Sequence, residues 1–376
     1  MEPPEGRDME EVIQRIDEKY RPVWVDRPHE EAEALAAYFL PHRSAKLVLK
    51  PTRPRMIKWY CPFARQSDFP SGHRYCINVY VGCSHGCVYC YALSHAPCVA
   101  ATKKGFQGMV DRDMDDLERF DVPPGPVHLS NSTDPFQSLE ADNRHTQYAL
   151  AQVLAHRRRF TSVTILTKNP LLPVRLGYID LFKKLADLPS DHPRAAAFQL
   201  GAFPGFCVEV SLAFWREEAR RAYDPGAPTV EERKAGIRAL REAGIPVVLR
   251  IDPLFPRSPR ADGPTQTYAD FGLAEPQTAG DIENLVGFAK EMGVRHVVYS
   301  PAKIVQPRGK ELSPAMQAMR QVYEYVAAPD RPIFRGGAWR PPSAIAEAKV
   351  TQPFLKTCGR LGVAAKYCKS NLIETP

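Results

Sequence analysis

No apolar run in the sequence approaches the roughly 18 residues that a membrane-spanning helix requires. Residues 1–6 are polar and acidic, and no apolar core of a secretory leader follows them. The chain also lacks an internal repeat, a low-complexity tract and a long charge block, while 44% of its 376 residues are hydrophobic. These absences argue against a membrane protein and against wholesale disorder. We expect a folded, soluble, cytosolic protein with no membrane partner and with one large or two ordinary domains.

The nine cysteines are poorly explained by disulfide bonds. Nine is an odd number, no secretion signal is evident, and three cysteines fall within eight residues, at Cys83, Cys87 and Cys90. In a reducing compartment, clustered cysteines more often bind a metal or carry redox chemistry. The sequence therefore indicates a metal or redox site.

Positive charge is concentrated near the N-terminus. The segment from Arg43 to Arg74 contains eight Lys or Arg residues against the single acid Asp68, and it also carries Trp59 and Tyr60. Such a segment can follow a phosphate backbone and stack on bases, so nucleic acid is a candidate partner. The alternative is a solvated arm whose aromatic side chains pack on the main domain.

Past residue 75, short β-rich runs alternate with helical patterns, as is typical of βα units around a parallel sheet. The clearest helix spans 229–243, with Thr229 as N-cap, Glu232 at the capping-box position and Gly244 at its end. Segments 143–157 and 278–292 show a similar helical pattern. The candidate strands are 76–81, 126–130, 162–167, 207–212, 246–251 and 296–300.

Three regions follow from this pattern. Residues 1–75 form a basic N-terminal extension with one helix near 29–39, residues 76–329 form the α/β core, and residues 330–376 form a C-terminal extension. Two stretches rich in Pro, Gly, Arg and Asp, 188–206 and 253–277, are predicted to be loops.

The strongest motif is Cys83-Ser84-His85-Gly86-Cys87-Val88-Tyr89-Cys90, directly after the first candidate strand. Three thiolates on one tight loop suit three irons of a [4Fe-4S] cluster and leave the fourth iron open to a substrate. Zinc is the competing interpretation, but a structural zinc site needs four ligands, and no second cysteine pair follows at a conventional spacing.

At these residues the chain resembles the radical S-adenosylmethionine (SAM) superfamily, whose motif is Cys-x3-Cys-x-aromatic-Cys. The resemblance implies a partial (β/α)6 TIM-like barrel, a [4Fe-4S] cluster, and SAM bound to the open iron. It also implies an electron donor of the flavodoxin or ferredoxin type. Reductive cleavage of SAM would then give a 5′-deoxyadenosyl radical that abstracts hydrogen from a substrate.

Within that superfamily the chain is more similar to the spore photoproduct lyase-like, DNA repair photolyase-related group. The resemblance covers roughly residues 76–256. Its motifs are Val79-Tyr80-Val81-Gly82-Cys83, Cys90-Tyr91-Ala92, Ser132-Thr133-Asp134-Pro135-Phe136-Gln137 with Glu140, Leu166-Thr167-Lys168, Val210-Ser211, Gly244-Ile245-Pro246-Val247 and Pro253-Leu254-Phe255-Pro256.

Several of these motifs lie where candidate strands end, and loops that follow parallel strands converge into a ligand site. Lys168 and Ser211 suit the SAM carboxylate, an assignment that the resemblance supports. It also implies that Ser132, Thr133 and Asp134 bind the methionyl ammonium. The alternatives are a solvent-facing lysine, a capping serine and an ordinary turn.

The resemblance assigns catalytic roles to the two tyrosines that flank the last cysteine, Tyr89 and Tyr91. It fails at Asn131, where the lyase carries a cysteine that returns hydrogen to the product radical. An amide cannot donate hydrogen in this way, so we do not expect reversal of a thymine dimer as such. A thiol from elsewhere, such as Cys98 or Cys207, is an alternative donor, although both are more simply explained as buried cysteines.

The remaining residues of interest carry weaker signals. Cys61, Cys76, Cys358 and Cys368 would form a second metal site only if both extensions folded together, and their spacing is not that of a known site. His85 suits a hydrogen bond within the loop better than a metal. Three charged residues near the later strand ends, Arg250, Asp252 and Lys303, either face SAM or substrate or form surface pairs.

The sequence thus predicts a radical SAM enzyme, with a nucleic acid or nucleotide as substrate. A peptide or a small metabolite is the second candidate substrate. A protein of another class, which binds nucleic acid through an iron–sulfur or zinc site without turnover, also stays open.

Overall fold

A computed structural model describes residues 39–41, 49–51, 55–58, 75–94, 96, 99–119, 124–187, 205–256, 268–306, 311–320, 323–326, 338–341 and 343–368. Outside these ranges lie residues 29–38 of the helix predicted near 29–39, most of the basic segment, most of the predicted loop 188–206, and residues 257–267 of the predicted loop 253–277. So do Cys61 and Cys98.

The described strands build one large sheet and two small antiparallel pairs. All six predicted strands are present in the large sheet, but the first ends at Ile77 rather than at residue 81, and the fifth continues to Leu254, into the predicted loop 253–277. The strands are β1 (Phe39–Pro41), β2 (Leu49–Pro51), β3 (Ile57–Lys58), β4 (Tyr75–Ile77), β5 (Gly125–Leu129), β6 (Phe160–Thr167), β7 (Phe206–Ser211), β8 (Val247–Leu254), β9 (Val297–Pro301), β10 (Glu324–Val326), β11 (Ala338–Arg340) and β12 (Ala365–Tyr367).

The large sheet has the strand order β12-β9-β8-β7-β6-β5-β4-β3. Strands β4 to β9 are parallel neighbours in chain order, as successive βα units require. Strand β3 is antiparallel to β4 at one edge, and β12 is parallel to β9 at the other. The sheet is not closed, so the predicted partial barrel is confirmed.

Helices follow most of the parallel strands. The α-helices are α1 (Phe106–Arg119), α2 (Leu139–Asn143), α3 (His145–Ala155), α4 (Leu171–Arg175), α5 (Ile179–Ala186), α6 (Glu217–Tyr223), α7 (Val230–Glu242), α8 (Ala279–Glu291), α9 (Pro314–Arg320), α10 (Ser343–Ile345) and α11 (Gln352–Leu361). Shorter 3-10 turns span Tyr91–Ser94, Arg157–Arg159 and Ala269–Phe271, and a π-helical turn spans Ala346–Thr351.

The predicted caps explain where two helices begin. Thr229 caps α7 and forms a capping box with Glu232, as the sequence indicates. Thr278 caps α8 in the same way with Asp281. Since each box satisfies two backbone N–H groups, these helix starts are encoded locally.

The two faces of the sheet differ in polarity. Alternate strand residues such as Val163, Val208 and Leu249 join the main apolar core with the helices. The intervening residues line the inner face and include Glu209 and Arg250 on neighbouring strands. Closed barrels usually fill this space with aliphatic side chains. The inner face here is instead partly polar and charged.

The C-terminal extension contributes to the barrel. Helix α11 packs against α8, and β12 then adds a seventh parallel strand beside β9. Cys368 follows β12 directly, and its backbone N–H donates to the Tyr299 carbonyl at 2.8 Å. Among the described residues no helix is both long and apolar enough to cross a membrane.

Candidate functional site

The three clustered cysteines lie on a loop after β4, here called the cluster loop (residues 82–90). Gly82 and Gly86 have φ of 65° and 62°, values that a side chain disfavours, so both bends depend on glycine. Cys87 is buried, Cys83 and Cys90 are partly buried, and all three carry free thiols. The loop thus presents three thiols without an internal disulfide.

These thiols share one electrostatic environment. Burial raises the pKa of Cys83 to about 12, with a further contribution from Asp134. Burial also raises the pKa of Cys87 and of Cys90, and Asp224 adds to the shift at Cys87. The Lys168 ammonium acts in the opposite direction on each thiol. Lys168 therefore favours the thiolate form of all three cysteines.

Within the described residues, no three His, Cys, Asp or Glu side chains converge as the ligands of a single ion do. A cubane cluster differs in this respect, because each thiolate binds a separate iron.

The predicted SAM-binding turn after β5 also holds the cluster loop. Gln137 is fully buried; its amide oxygen accepts from Ser84 N at 2.9 Å, and its amide nitrogen donates to the Gly82 carbonyl at 3.3 Å. Glu140 is also fully buried and accepts hydrogen bonds from the hydroxyls of Tyr80 and Tyr178. The motif from Ser132 to Glu140 therefore has a clear structural role.

Asp134 links this turn to the cluster loop and to the end of β6. Its carboxylate lies 2.9 Å from His85 Nε2 and accepts from Thr167 Oγ1 at 2.8 Å and from the Lys168 backbone at 2.6 Å. A fourth hydrogen bond comes from Phe136 N at 2.8 Å. Burial raises the pKa of Asp134, but His85 and these donors outweigh it and lower the pKa below its ordinary value.

The neighbouring hydroxyl residues make weaker contacts. Ser132 N donates to Asn78 Oδ1 at 3.0 Å, and Thr133 Oγ1 lies 3.4 Å from Ser130 Oγ. Binding of the methionyl ammonium by Ser132, Thr133 and Asp134 stays a prediction. His85 forms a hydrogen bond within the site, as expected of it.

Lys168 and Ser211, which the sequence places at the ends of β6 and β7, meet in the structure. Lys168 Nζ donates to Ser211 Oγ at 3.0 Å, to Tyr89 Oη at 2.8 Å and to Asp224 Oδ2 at 3.1 Å. Burial lowers the pKa of Lys168, but Asp224 outweighs it and raises the pKa above its ordinary value. The lysine is therefore a fixed cation beside the cluster loop.

Asp224 is the main site residue that the sequence analysis missed. It is fully buried, accepts from Tyr89 Oη at 2.6 Å, and pairs with both Lys168 and Arg233. Burial raises the pKa of Asp224, but the two cations outweigh it and hold the pKa well below its ordinary value. In the sequence, Asp224-Pro225-Gly226 is an ordinary turn signal, so only the fold reveals this role.

The two tyrosines beside Cys90 point to different surroundings. Tyr89 packs near Phe214 and Phe255, and burial raises its pKa well above the ordinary value. Tyr91 donates to the Asn131 carbonyl, and its ring lies 5.2 Å from Lys303 Nζ. Their catalytic roles stay predictions.

The thiol beside Asn131 belongs to Cys76, which the sequence analysis did not propose for this position. Asn131 Nδ2 donates to Cys76 Sγ at 3.2 Å, and Cys76 is buried. Cys207 instead packs with Val248 and Val298 on the inner face. Cys98 lies outside the described residues.

The charged residues near the later strand ends form a network. Arg250 pairs with Glu209 at 2.6 Å and with Asp252 at 2.8 Å, and it donates to Cys368 Sγ at 2.9 Å. Burial lowers the pKa of Lys303, a shift that Asp252 and Cys368 partly oppose. Arg250 therefore pairs with both carboxylates on the inner face of the sheet.

The cysteines considered for a second metal site occupy separate surroundings in the described chain. Cys76 contacts Asn131, and Cys368 contacts Arg250. Cys358 is buried in the apolar core. A second metal site with Cys61 stays untested, because that residue lies outside the described ranges.

No protein-family model matches the chain. An uncharacterized protein of Methanocaldococcus jannaschii is 25% identical over 185 residues, which cover 49% of this chain and 62% of that protein. An uncharacterized protein of Mycobacterium tuberculosis is 30% identical over 197 residues, which cover 49% of this chain and 50% of that protein. Both alignments thus span less than two thirds of the relative.

Two solved structures of spore photoproduct lyase variants share the fold. A single mutant matches with a TM-score of 0.53 and 12% identity, over 85% of this chain and 80% of the lyase. A double mutant with bound AdoMet and dinucleoside spore photoproduct matches with the same values. The resemblance to the spore photoproduct lyase-like group, predicted from the motifs, is confirmed at the level of the fold.

Proposed function

We propose that this chain, which has the fold of spore photoproduct lyase, is a radical SAM enzyme. Cys83, Cys87 and Cys90 would hold one [4Fe-4S] cluster, and SAM would bind beside it. When bound, these two cofactors supply a one-electron cleavage of the sulfonium and a 5′-deoxyadenosyl radical that abstracts hydrogen from the substrate.

The observation that carries the proposal is the donor set on the cluster loop. Three free thiols stand on one loop after the first barrel strand, and Lys168 Nζ lies 2.8 Å from the hydroxyl of Tyr89 on the same loop. Thiolates are the usual protein ligands of iron–sulfur clusters, and a nearby cation offsets part of their charge. The residues present therefore fit a cluster with one iron left open.

Lys168 and Ser211 are the residues we assign to the SAM carboxylate. Their side chains lie 3.0 Å apart, and the lysine is 14% exposed. A fixed ammonium beside a hydroxyl offers charge-assisted hydrogen bonds to a carboxylate. We assign Ser132, Thr133 and Asp134 to the methionyl ammonium, with Asp134 supplying the negative charge.

Tyr89 and Tyr91 would orient and shield the reacting region. The Tyr89 ring lies 6.1 Å from the rings of Phe214 and Phe255, so aromatic surface covers this side of the cluster loop. This aromatic surface would keep water and stray hydrogen donors from a radical formed there. Tyr91 faces Asn131 and Lys303, on the side where we place the substrate.

The proposed substrate is a nucleic acid or nucleotide. Two observations support it: the inner face carries the Glu209–Arg250 ion pair where closed barrels are aliphatic, and a lyase structure that shares the fold holds a dinucleoside. Because Asn131 replaces the expected hydrogen-donor cysteine, the reaction proposed here differs from that of the lyase. The basic segment from Arg43 to Arg74 is a proposed nucleic-acid contact, and a flavodoxin or ferredoxin is the proposed electron donor.

Anaerobic reconstitution tests the reaction class. The wild-type chain should take up about four irons and four sulfides and, once reduced, convert SAM to methionine and 5′-deoxyadenosine. Cys87→Ala should abolish both products, whereas Cys358→Ala, which removes a thiol from the apolar core, should retain them. Stoichiometric zinc in place of iron and sulfide, with neither product formed, would contradict the proposal.

Isotope transfer tests the substrate. Deuterium from a labelled substrate should appear in 5′-deoxyadenosine, and ultraviolet-damaged and undamaged DNA oligonucleotides are the first probes. Labelled peptides and small metabolites serve as the comparison set. Transfer from either of those, with none from DNA or nucleotides, would replace the proposed substrate by the second candidate class.

A further inference from the structure

The cluster loop packs against a short segment, Tyr223–Gly226, which begins at the last residue of helix α6 and is here called the support segment. Val88 N donates to the Tyr223 carbonyl at 3.0 Å, and Gly226 N donates to the His85 carbonyl at 2.9 Å. A Cβ on Gly226 would lie only 2.3 Å from the Ser84 carbonyl oxygen. The two backbones are therefore as close as glycine allows.

The side chain of Asp224 extends this contact into the site. Its carboxylate accepts from Tyr89 Oη at 2.6 Å and from Lys168 Nζ at 3.1 Å. Arg233, fully buried on α7, donates to the same carboxylate through Nη1 and Nη2, both at 3.1 Å. One carboxylate thus joins the cluster loop to the end of β6.

Asp224, Lys168 and Arg233 together determine the charge that an anionic ligand would meet. Asp224 is shared between two cations, Lys168 and Arg233, so the trio carries a net charge of +1. Arg233 also donates to the Ser211 carbonyl at 3.2 Å, which ties it to the end of β7. The other two hydrogen bonds of Lys168 Nζ are donated to hydroxyls, those of Tyr89 and Ser211. An anion can therefore approach the lysine without displacing Asp224.

We infer that Asp224, carried by the support segment, is a positioning residue that fixes Lys168 and Tyr89 against the cluster loop. This inference rests on the proposed function and assigns to it a residue that touches neither substrate nor cofactor. Asp224 sets where the ammonium stands relative to the three thiols. Arg233 holds Asp224 in turn, so that the carboxylate is not left as an uncompensated buried charge.

Asp224→Asn is the decisive variant, because it keeps the shape and removes the charge. Residues that hold a metal ligand or its neighbours typically contribute 10- to 100-fold to affinity or activity, so the KM for SAM should rise about 10-fold. The midpoint potential of the cluster should become less negative, since a negative charge beside it is lost. The matched control is Asp113→Asn on α1, which alters a fully buried carboxylate held by Arg112 and by the Ile57 backbone of β3.

A second measurement needs no cofactor. Hydrogen–deuterium exchange of the peptide covering residues 83–91 should be faster in Asp224→Asn than in the wild type and unchanged in Asp113→Asn. If Asp224→Asn does not fold, Arg233→Lys replaces it, because lysine loses the two-pronged contact while keeping the charge. Arg233→Lys should then show faster exchange of the cluster loop and a higher KM for SAM than the wild type.

Unchanged loop exchange together with an unchanged KM in Asp224→Asn would overturn the positioning role. Equal effects of Asp113→Asn would also overturn it, because they would reduce the change to a general loss of stability. A wild-type chain that takes up no iron would overturn the proposed function instead. The exchange comparison would still decide in that case whether Asp224 fixes the loop.

Discussion

Gln137 is a single buried side chain that contacts the cluster loop at Ser84 and Gly82. Gln137→Ala removes both of its contacts, to Ser84 N and to the Gly82 carbonyl. Leaving a buried N–H without a partner costs about 1–3 kcal/mol, so we expect a loss of that size in the free energy of unfolding. Chemical denaturation measures it. Gln107→Ala, at an exposed position on α1, should change stability by less than about 0.5 kcal/mol. Equal losses in both variants would contradict the role of Gln137.

Lys168 gives a second prediction at this scale. Lys168→Met keeps the length of the side chain but removes the ammonium, so a SAM carboxylate loses a charge-assisted hydrogen bond worth about 1.5–3 kcal/mol. The KM for SAM should therefore rise between about 10- and 150-fold, measured from 5′-deoxyadenosine formation. Lys184→Met, on the exposed side of α5, is the control. A KM within twofold of the wild type would remove Lys168 from the SAM site.

Residue types and spacing predicted much of the site, but they did not predict Asp224, which joins the cluster loop to Lys168 and Arg233. The cysteine motif is local, and Lys168 and Ser211 follow from the rule that parallel strands end at one edge. Asp224 bonds to Tyr89 across 135 residues of sequence. Nothing local distinguishes an aspartate in a turn from one that pairs with two buried cations, and Cys76 beside Asn131 was missed for the same reason.

Among the elements, helix α7 packs closely on α4 because of one glycine. A Cβ on Gly236 would lie 2.4 Å from Leu171 N and 2.6 Å from Pro170 C, both backbone atoms. Gly236→Ala should therefore destabilise the protein by about 1–3 kcal/mol, although alanine is the better helix former. Gly108→Ala, within α1, meets nothing within 4 Å and should stabilise by up to about 1 kcal/mol. Thermal unfolding of the two variants checks both signs, and a stabilised Gly236→Ala would contradict the close contact.

The helices and strands that were predicted correctly have local sequence signals within their own residues. Helix α7 has a capping box and a terminal glycine, and strands β6 and β8 are eight residues long and rich in Val, Ile, Leu or Thr. Strands β3 and β12 have two and three residues, too short for a periodic pattern. They are strands only because β4 and β9 offer unpaired edges. The C-terminal extension therefore completes the sheet in a way that local sequence does not show.

At the scale of the whole molecule, the open barrel carries buried charged groups on its inner face. Glu209 is paired with Arg250 at 2.6 Å, and both side chains are nearly buried. Burial raises the pKa of Glu209, but Arg250 outweighs it and lowers the pKa to about 2. His296, fully buried before β9, lies within reach of the Glu209 charge. The stability of the fold should therefore depend on pH.

His296 determines the first part of that dependence. Burial lowers its pKa from 6.5 to about 4, so between these values the unfolded chain binds a proton that the folded chain does not. The free energy of unfolding must then fall as the pH falls, by about 2 kcal/mol between pH 7 and pH 5, at about 1.4 kcal/mol per pKa unit. Urea denaturation at the two pH values measures it, above the range where carboxylates begin to titrate. His296→Gln should remove most of this difference whatever its stability at pH 7, whereas His156→Gln, at a solvent-accessible surface position, should retain it. A wild-type stability that is equal at both pH values would mean that the His296 ring is protonated as readily inside the fold as in water.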